Sequence, residues 1–336
     1  GFEEVRVKSV FIKEFGGPEN LEIREVPDPP GPTDSQVMVK VAAAGLNRAD
    51  LLQCRGLYPP PPGYSPNIPG LEFAGEIIEK GVGVEGLEIG DRVFGISAGE
   101  AQAEIIVIDA NHVARVPDKI SLTEAAAIPE AFVTAYDAVF TQAELKNGES
   151  LLIHAVGSGV GLAALQLAKA NGCKVYGTSR TAAKLDRCRE YGLDEGIATG
   201  EDAKFADHIL ELTDGRGVDV VLDLVGGSYF EENLKCLAQK GRLMLVGLTG
   251  GVSAQFDLGI ALRKRLKITG TVLRGRSDEE KADAIRLFGD NVVPLFANKV
   301  IKPNVDRVFE MTDVQEAYRY LASNASFGKV VLKMEH

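Results

Sequence analysis

Short apolar segments between turn signals fill the chain up to Glu130. Leu21-Glu22-Ile23-Arg24 and Val37-Met38-Val39-Lys40-Val41 alternate apolar and polar positions, the period of a half-buried strand. Together with 9–12, 73–78, 92–96 and 104–108 they predict an irregular β-rich domain. The proline-dense stretches at 27–32 and 59–62 are loops of local polyproline II character. After about Pro129 apolar runs alternate with helical patterns instead. Strands are predicted at 151–155, 174–178, 196–199, 218–225, 242–247 and 267–273, with helices at 161–170, 182–191, 205–212 and 229–238 between them. Strand–helix alternation at this spacing predicts a doubly wound parallel sheet over 131–274. The tail changes again: amphipathic helices at 278–288 and 313–322, then a strand at 329–333. It is too short for a domain of its own and is expected to rejoin the front of the chain, giving one domain from 1–130 and 275–336.

Composition fits this division. The chain has 336 residues, 45% of them hydrophobic and 25% charged, an ordinary globular balance. Proline is lopsided, with 11 of its 15 copies at or before Pro69, and glycine is abundant at 37. Net charge is −11, which opposes general binding to a phosphate backbone. The four cysteines contain no C-x-x-C and the four histidines no H-E-x-x-H, so neither a zinc site nor a disulfide framework is expected. A reducing, cytoplasmic setting follows. Glu3, Glu4, Arg6 and Lys8 interrupt the opening segment Gly1–Lys13, unlike a signal peptide. Residues 150–168 carry no full charge and approach the length of a membrane span. Their glycines and His154, Ser158 and Gln166 favour a buried strand, a glycine turn and a buried helix.

That turn carries the chemistry. Leu151-Leu152-Ile153-His154-Ala155-Val156-Gly157-Ser158-Gly159-Val160-Gly161 runs from a buried strand through glycines into a helix. Glycines allow backbone N–H groups to approach a pyrophosphate, and the helix N-terminus adds unpaired donors and partial positive charge. A strict G-x-G-x-x-G is absent because Leu162 holds the last position. The placement on the first strand of a six-strand alternation gives the motif its weight, the alternative being a turn needed only for helix–sheet packing. After the second strand NAD would want a carboxylate for its ribose. The stretch Val175-Tyr176-Gly177-Thr178-Ser179-Arg180-Thr181-Ala182-Ala183-Lys184 has none. Ser179, Arg180 and Lys184 offer donors and positive charge for a 2′-phosphate, so NADPH is the expected cofactor. The alternative is that Arg180 and Lys184 are solvated residues of the helix start.

At this point the chain resembles a family. Gly16-Gly17-Pro18-Glu19, Gly45-Leu46-Asn47-Arg48-Ala49-Asp50, Arg55-Gly56-Leu57-Tyr58-Pro59, Pro69-Gly70-Leu71-Glu72, Gly90-Asp91-Arg92-Val93, Ala126-Ala127-Ile128-Pro129 and Gly328-Lys329-Val330-Val331 occur in order over essentially its whole length. They resemble the zinc-independent medium-chain dehydrogenases/reductases of the NADPH:quinone oxidoreductase type. The branch named for induction by a tumour suppressor is nearest, through Ala-Ala-Ile-Pro-Glu, Leu-Ile-His-Ala and Gly-Gly-Ser-Tyr. The resemblance implies an α/β fold: a GroES-like β-rich domain plus a Rossmann domain with a doubly wound six-stranded parallel sheet. It also explains the missing metal. Zinc-dependent alcohol dehydrogenases place a Cys within the stretch occupied here by Gly45-Leu46-Asn47 and a Gly-His-Glu where Gly70-Leu71-Glu72 stands.

By position the resemblance assigns Asn47, Tyr58 and Thr134 to the nicotinamide and substrate, in a cleft between the domains. Gly157, Ser158, Gly159, Val160 and Gly161 would bind the cofactor's phosphates. Val246, Gly247 and Thr249 would reach the nicotinamide ribose or amide, and Asn324 would lie near the cofactor. The segment 267–273 resembles the family's dimer edge, which implies a homodimer. Two departures stand out: many members have Gly where Ser158 stands, and a Tyr that covers the adenine is replaced near Thr199. Each assignment has a plainer counterpart. Asn47 is placed to cap the helix beginning at Asp50-Leu51-Leu52, Tyr58 to stack on the prolines at 59–62, and Thr134 to bond its own helix backbone. His154 reads as a packed core histidine rather than a base, and Asp50 as a structural carboxylate. The expected activity is reduction of a quinone by NADPH, in one or two electron steps. Its competitors are NADPH-dependent reduction of an enone or alkenal, with Tyr58 or Tyr64 as proton source, and a non-catalytic NADPH- or RNA-binding role.

Overall fold

The computed structural model describes residues 6–336. The chain divides into two compact units. One takes the chain up to Val133 together with Leu273–His336; the other is Thr134–Val272.

The first unit is built on β-strands: β1 (Arg6–Ile12), β2 (Leu21–Pro27), β3 (Gln36–Gly45), β4 (Glu72–Lys80), β5 (Arg92–Ile96), β6 (Ile105–Asp109) and β7 (Val113–Arg115). β1 and β2 form an antiparallel pair with Val10 opposite Ile23. Of the strands that follow the second unit, β14 (Val305–Glu310) and β15 (Lys329–Lys333) belong to this one. Its larger sheet has the order β14-β15-β3-β4-β5-β7, with β6 added on β3. In this sheet β15 pairs antiparallel with β3, Leu332 opposite Ala44. Val10, Phe73, Val330 and the fully buried Tyr318 share one core. Tyr318 lies on the helix Val314–Ala322, whose Val314, Ala317, Tyr318 and Leu321 are all buried, the i, i+3, i+4, i+7 stripe of an amphipathic helix.

The second unit is a parallel sheet of β8 (Ser150–Ile153), β9 (Lys174–Ser179), β10 (Glu195–Ala198), β11 (Val218–Asp223), β12 (Leu237–Leu245) and β13 (Lys267–Gly270). The order is β10-β9-β8-β11-β12-β13, so the chain works outward from β8 and then restarts beside it at β11. That reversal is the Rossmann topology, and ligands of such sheets bind at the carboxyl ends of the strands around it. β11 has all six residues buried, as expected of a central strand covered on both faces.

Several boundaries differ from the pattern reading. β12 starts at Leu237, taking Leu237 and Ala238 from the preceding helix, which stops at Cys236. β13 stops at Gly270, so 271–273 leave the sheet. The helix after the glycine turn starts at Gly159, two positions early, because Ser158 is its N-cap. Two short strands escaped the periodicity: β7 spans only Val113–Arg115, and β14 buries only Phe309. The uncharged stretch at 150–168 holds β8, the turn and helix. Among the described residues no helix is long and apolar enough to cross a membrane.

Candidate functional site

The turn after β8 is held in an unusual backbone shape. Ala155 has φ 49°, a left-handed conformation that costs a non-glycine residue about 1 kcal/mol or more. Ser158 N donates to Ala155 O at 2.9 Å, closing the turn. Ser158 Oγ then accepts from Gly161 N at 3.1 Å, which leaves its own hydroxyl proton available to a further acceptor. Gly159 and Val160 form the first turn of the helix, where N–H groups have no intrahelical acceptor. A Cβ on Gly161 would lie 2.5 Å from Ala155 O and 2.7 Å from Val156 O. Gly161 thus lets the helix start press against the turn. An unpaired amide pair, an available hydroxyl proton and this close approach fit a diphosphate.

The neighbouring strand ends carry the other predicted contacts. Ser179 is the last residue of β9 and is buried, while Arg180 is exposed and Lys184 half-buried in the first turn of the helix Ala182–Cys188. No carboxylate appears before Asp186, so the donor set suits a phosphate better than a free ribose hydroxyl. Beyond β12, Val246 N and Gly247 N both donate to Asp223 O, at 2.9 and 3.3 Å, and Thr249 Oγ1 donates to Leu224 O at 3.2 Å. Val246, Gly247 and Thr249 are therefore fixed on the segment that follows β11. The second unit brings 157–161, 179–184 and 246–249 to the carboxyl ends of β8, β9 and β12. Thr134, half-buried, is the first residue of this unit, on the helix Pro129–Tyr136.

In the first unit the short helix Arg48–Cys54 organises the remaining positions. Asn47 stands at its N-cap, and its backbone N–H donates to Asp50 Oδ2 at 2.8 Å. The Asn47 side chain does other work. Its Nδ2 donates to Glu72 Oε1 at 3.0 Å and its Oδ1 accepts from Lys329 Nζ at 2.6 Å. One Nδ2 hydrogen remains. Lys329 Nζ also meets Glu72 Oε1 at 2.6 Å and Leu46 O at 2.8 Å, so its three donors are committed. Glu72 Oε2 accepts from Glu130 N at 2.8 Å. Gly45 makes room for this carboxylate, since a Cβ there would fall 2.2 Å from Glu72 Oε1. Asn324, with φ 61°, accepts through Oδ1 from Arg48 next to Asn47.

Tyr58 is half-buried beneath Arg274, whose guanidinium carbon lies 5.0 Å from its ring centroid, a cation–π distance. Arg274 is itself buried and donates to Tyr58 O (3.0 Å), Ala98 O (2.8 Å) and Gln53 Oε1. It ties the Tyr58 loop to the helix that carries Asn47. Burial holds the Tyr58 phenol above its ordinary pKa against the opposing charge of Arg274, so the phenol is a proton-bearing donor near neutrality. Two carboxyls nearby are also pushed up. Burial lifts Asp50 to about 7, opposed by the Asn47 N–H, Lys329 and Arg274. Burial and then the Glu72 charge lift Glu130 to about 8. Asp50 Oδ1 is buried without a hydrogen-bond partner.

Glu72, Glu130, Arg274 and Lys329 were not assigned roles from the sequence. Glu72 and Lys329 were visible only as parts of Pro-Gly-Leu-Glu and Gly-Lys-Val-Val. Leu46 and Leu71 are both buried apolar residues. Among the described residues no group of three or more His, Cys, Asp or Glu could hold a metal ion.

Comparison with known proteins agrees with this architecture. Residues 33–118 match the alcohol dehydrogenase GroES-like domain and 159–290 the zinc-binding dehydrogenase domain. The quinone oxidoreductase-like protein 2 homolog of Nematostella vectensis is 35% identical over 97% of this chain and 88% of its own. The Escherichia coli quinone oxidoreductase, solved in complex with NADPH, superposes with a TM-score of 0.85 at 32% identity, covering 97% of this chain and 99% of its own. The JamJ enoyl reductase, in its apo form, gives 0.86 at 28% identity, covering 98% and 100%. The chain belongs to the medium-chain dehydrogenase/reductase family, among the quinone oxidoreductase-like proteins, with a GroES-like domain joined to a Rossmann domain.

Proposed function

We propose that this protein is an NADPH-dependent quinone oxidoreductase that works without zinc. The observation that carries the reading is the set of strand ends in the second unit. A helix N-terminus capped by Ser158 follows β8, and Ser179 ends β9, with Arg180 and Lys184 after it and no carboxylate among them. Gly157, Ser158, Gly159, Val160 and Gly161 hold the diphosphate, and Ser179, Arg180 and Lys184 the 2′-phosphate. Val246, Gly247 and Thr249 hold the nicotinamide ribose or amide, with Asn324 contributing near the cofactor. When bound, NADPH supplies a hydride. The chain's own work is to bind, orient and shield. Asn47, rigidly held by Glu72 and Lys329, keeps one Nδ2 hydrogen to fix the nicotinamide, together with Thr134. Tyr58 packs against the acceptor or donates its phenolic hydrogen to the acceptor's carbonyl oxygen.

A homodimer through β13 is part of this reading. β13 is an edge strand, and Ile268 on it and Val272 just after it are exposed apolar residues, as are Leu258 and Leu262 on the helix before it. Exposed apolar side chains on and next to an edge strand suit an interaction surface.

A second reading, reduction of an activated alkene, is favoured by the likeness to an enoyl reductase and by the neutral Tyr58 phenol, which could protonate a carbon. NADPH oxidation with matched ortho-quinones and α,β-enones separates the two. Faster turnover of quinones is expected, and turnover of enones alone would replace the first reading with the second. NADPH binding with no acceptor consumed would point to a non-catalytic protein. Tyr58→Ala should lower kcat/KM for quinones about tenfold and Tyr58→Phe less, the size of one well-placed contact. Unchanged values in both would remove Tyr58 from the site.

A further inference from the structure

The functional reading leaves His154 unused. It follows β8, is completely buried, and packs with the rings of Phe205 (4.6 Å) and Tyr229 (4.8 Å), which also touch each other. Both ring nitrogens are engaged. Nδ1 lies 2.7 Å from Thr178 Oγ1 and Nε2 lies 2.6 Å from Asn233 Oδ1. Asn233 Nδ2 in turn donates to Asp223 Oδ2 at 2.9 Å. These contacts fix the direction of every bond. Asp223 as a carboxylate only accepts, so Asn233 must turn its NH₂ to it and its oxygen to the histidine. Nε2 must then carry the proton, and in the neutral ring Nδ1 accepts from the Thr178 hydroxyl. Burial opposes a second proton and holds the His154 pKa below its ordinary value, against the charge of Asp223.

Each end of this chain grips a strand end. Asp223 Oδ1 accepts from Val225 N (2.8 Å) and Gly226 N (3.0 Å), and Asp223 O accepts from Val246 N. Gly250 N donates to Val225 O at 2.7 Å. On the other side Thr178 precedes Ser179, and Thr178 O accepts from Val156 N at 3.1 Å at the glycine turn. The diphosphate turn, the end of β9 and the segment after β12 thus meet through one imidazole. A core filler would need none of this polarity.

We propose that His154 is a positioning residue that sets the three cofactor-carrying strand ends of the second unit relative to one another, through a one-directional chain Thr178→His154→Asn233→Asp223. The inference rests on the reading of those ends as an NADPH site. His154→Phe keeps the bulk but leaves Thr178 and Asn233 unpaired. His154→Gln retains a donor toward Asn233.

The test combines four measurements on the whole protein. These are the NADPH Kd from nicotinamide fluorescence, kcat at saturating NADPH, backbone hydrogen exchange at Val225 and Gly226 in cofactor-free protein, and the His154 tautomer from ¹⁵N NMR of the wild type. His154→Phe should raise the Kd about tenfold, the scale of a buried polar group left unpaired. It should leave kcat within about twofold and speed exchange at both amides, with His154→Gln in between. The NMR should show a neutral ring protonated at Nε2. A Kd and exchange unchanged in both variants, or a proton on Nδ1, would overturn the proposal. If His154→Phe does not fold, the wild-type tautomer and His154→Gln still decide. If the wild type binds no NADPH yet exchange at Val225 and Gly226 responds to the variants, the functional reading fails and the positioning role stands.

Discussion

The two units bury polar groups in opposite ways. Around Asn47 and Tyr58 the first unit uses ionisable groups: Glu72 is clamped by Lys329, Arg274 lies close by, and Asp50 and Glu130 keep their protons to about neutrality. Beneath its glycine turn the second unit uses a neutral relay of hydroxyl, imidazole and amide that ends on one carboxylate. Charges hold a geometry strongly but respond to protons. A neutral chain with fixed donor directions holds it less strongly and is indifferent to pH over the range where its histidine stays neutral. The first unit should therefore be the pH-sensitive one, and the second the constant one.

The largest test of this contrast removes the clamp. Lys329→Met leaves the Glu72 carboxylate, at 0% exposure, without its cation. A loss of about 3–5 kcal/mol is expected, as for other broken buried pairs, read by urea denaturation. A loss below about 1 kcal/mol would mean that Glu72 is neutral or solvated. The double variant Lys329→Met with Glu72→Leu should recover part of the loss, since apolar replacements of both partners are often tolerated.

Next in size is the cofactor phosphate. Arg180→Ala with Lys184→Ala should raise the KM for NADPH about tenfold or more and leave that for NADH nearly unchanged, because in the proposed binding mode only the 2′-phosphate would meet these cations. Equal changes for both cofactors would reject the assignment of 179–184.

The pH contrast comes third. Asp50 titrates near 7 when folded against 3.8 as a free side chain, and Glu130 near 8 against 4.5. Between about pH 4 and 8 the folded chain thus holds protons that the unfolded chain has released. Stability contributed by these groups is fully present below about pH 4 and falls as pH rises through that window. Melting followed from pH 5.5 to 8 should show Tm dropping by about 5 °C, and Asp50→Asn should flatten the drop. A Tm rising with pH, carried by these two residues, has the wrong sign for the account. The smallest effect belongs to the glycine turn. Ala155→Gly relieves the left-handed strain and should stabilise by about 0.5–1 kcal/mol, measurable as a shift of the urea midpoint.

Periodicity made most of both sheets legible. The alternation in β2 marks Leu21 as buried and Arg24 as exposed, whereas β3 buries Met38 along with Val37, Val39 and Val41, and β11 is wholly buried although it carries Asp219 and Asp223. What escaped was either too short or too exposed to show a period, as with Val113–Arg115 and Val305–Glu310, or depended on partners far apart in the chain. The residues of the glycine turn, and those after β9, could be picked from the sequence because one local segment carries several of them. The Asn47–Glu72–Lys329 cluster and the His154–Asn233–Asp223 chain could not, because each joins residues from three separate segments whose meeting only the fold decides. The capping role weighed for Asn47 is real for its backbone, while its side chain serves the charged cluster instead.

The proposed transfer of a hydride from NADPH to a quinone is the step on which the functional reading depends. The direct measurement is anaerobic NADPH oxidation by the purified protein with an ortho-quinone, followed together with hydroquinone formation. One hydroquinone per NADPH is expected, with NADH a much poorer donor. Tight NADPH binding with no quinone-dependent oxidation would contradict the account.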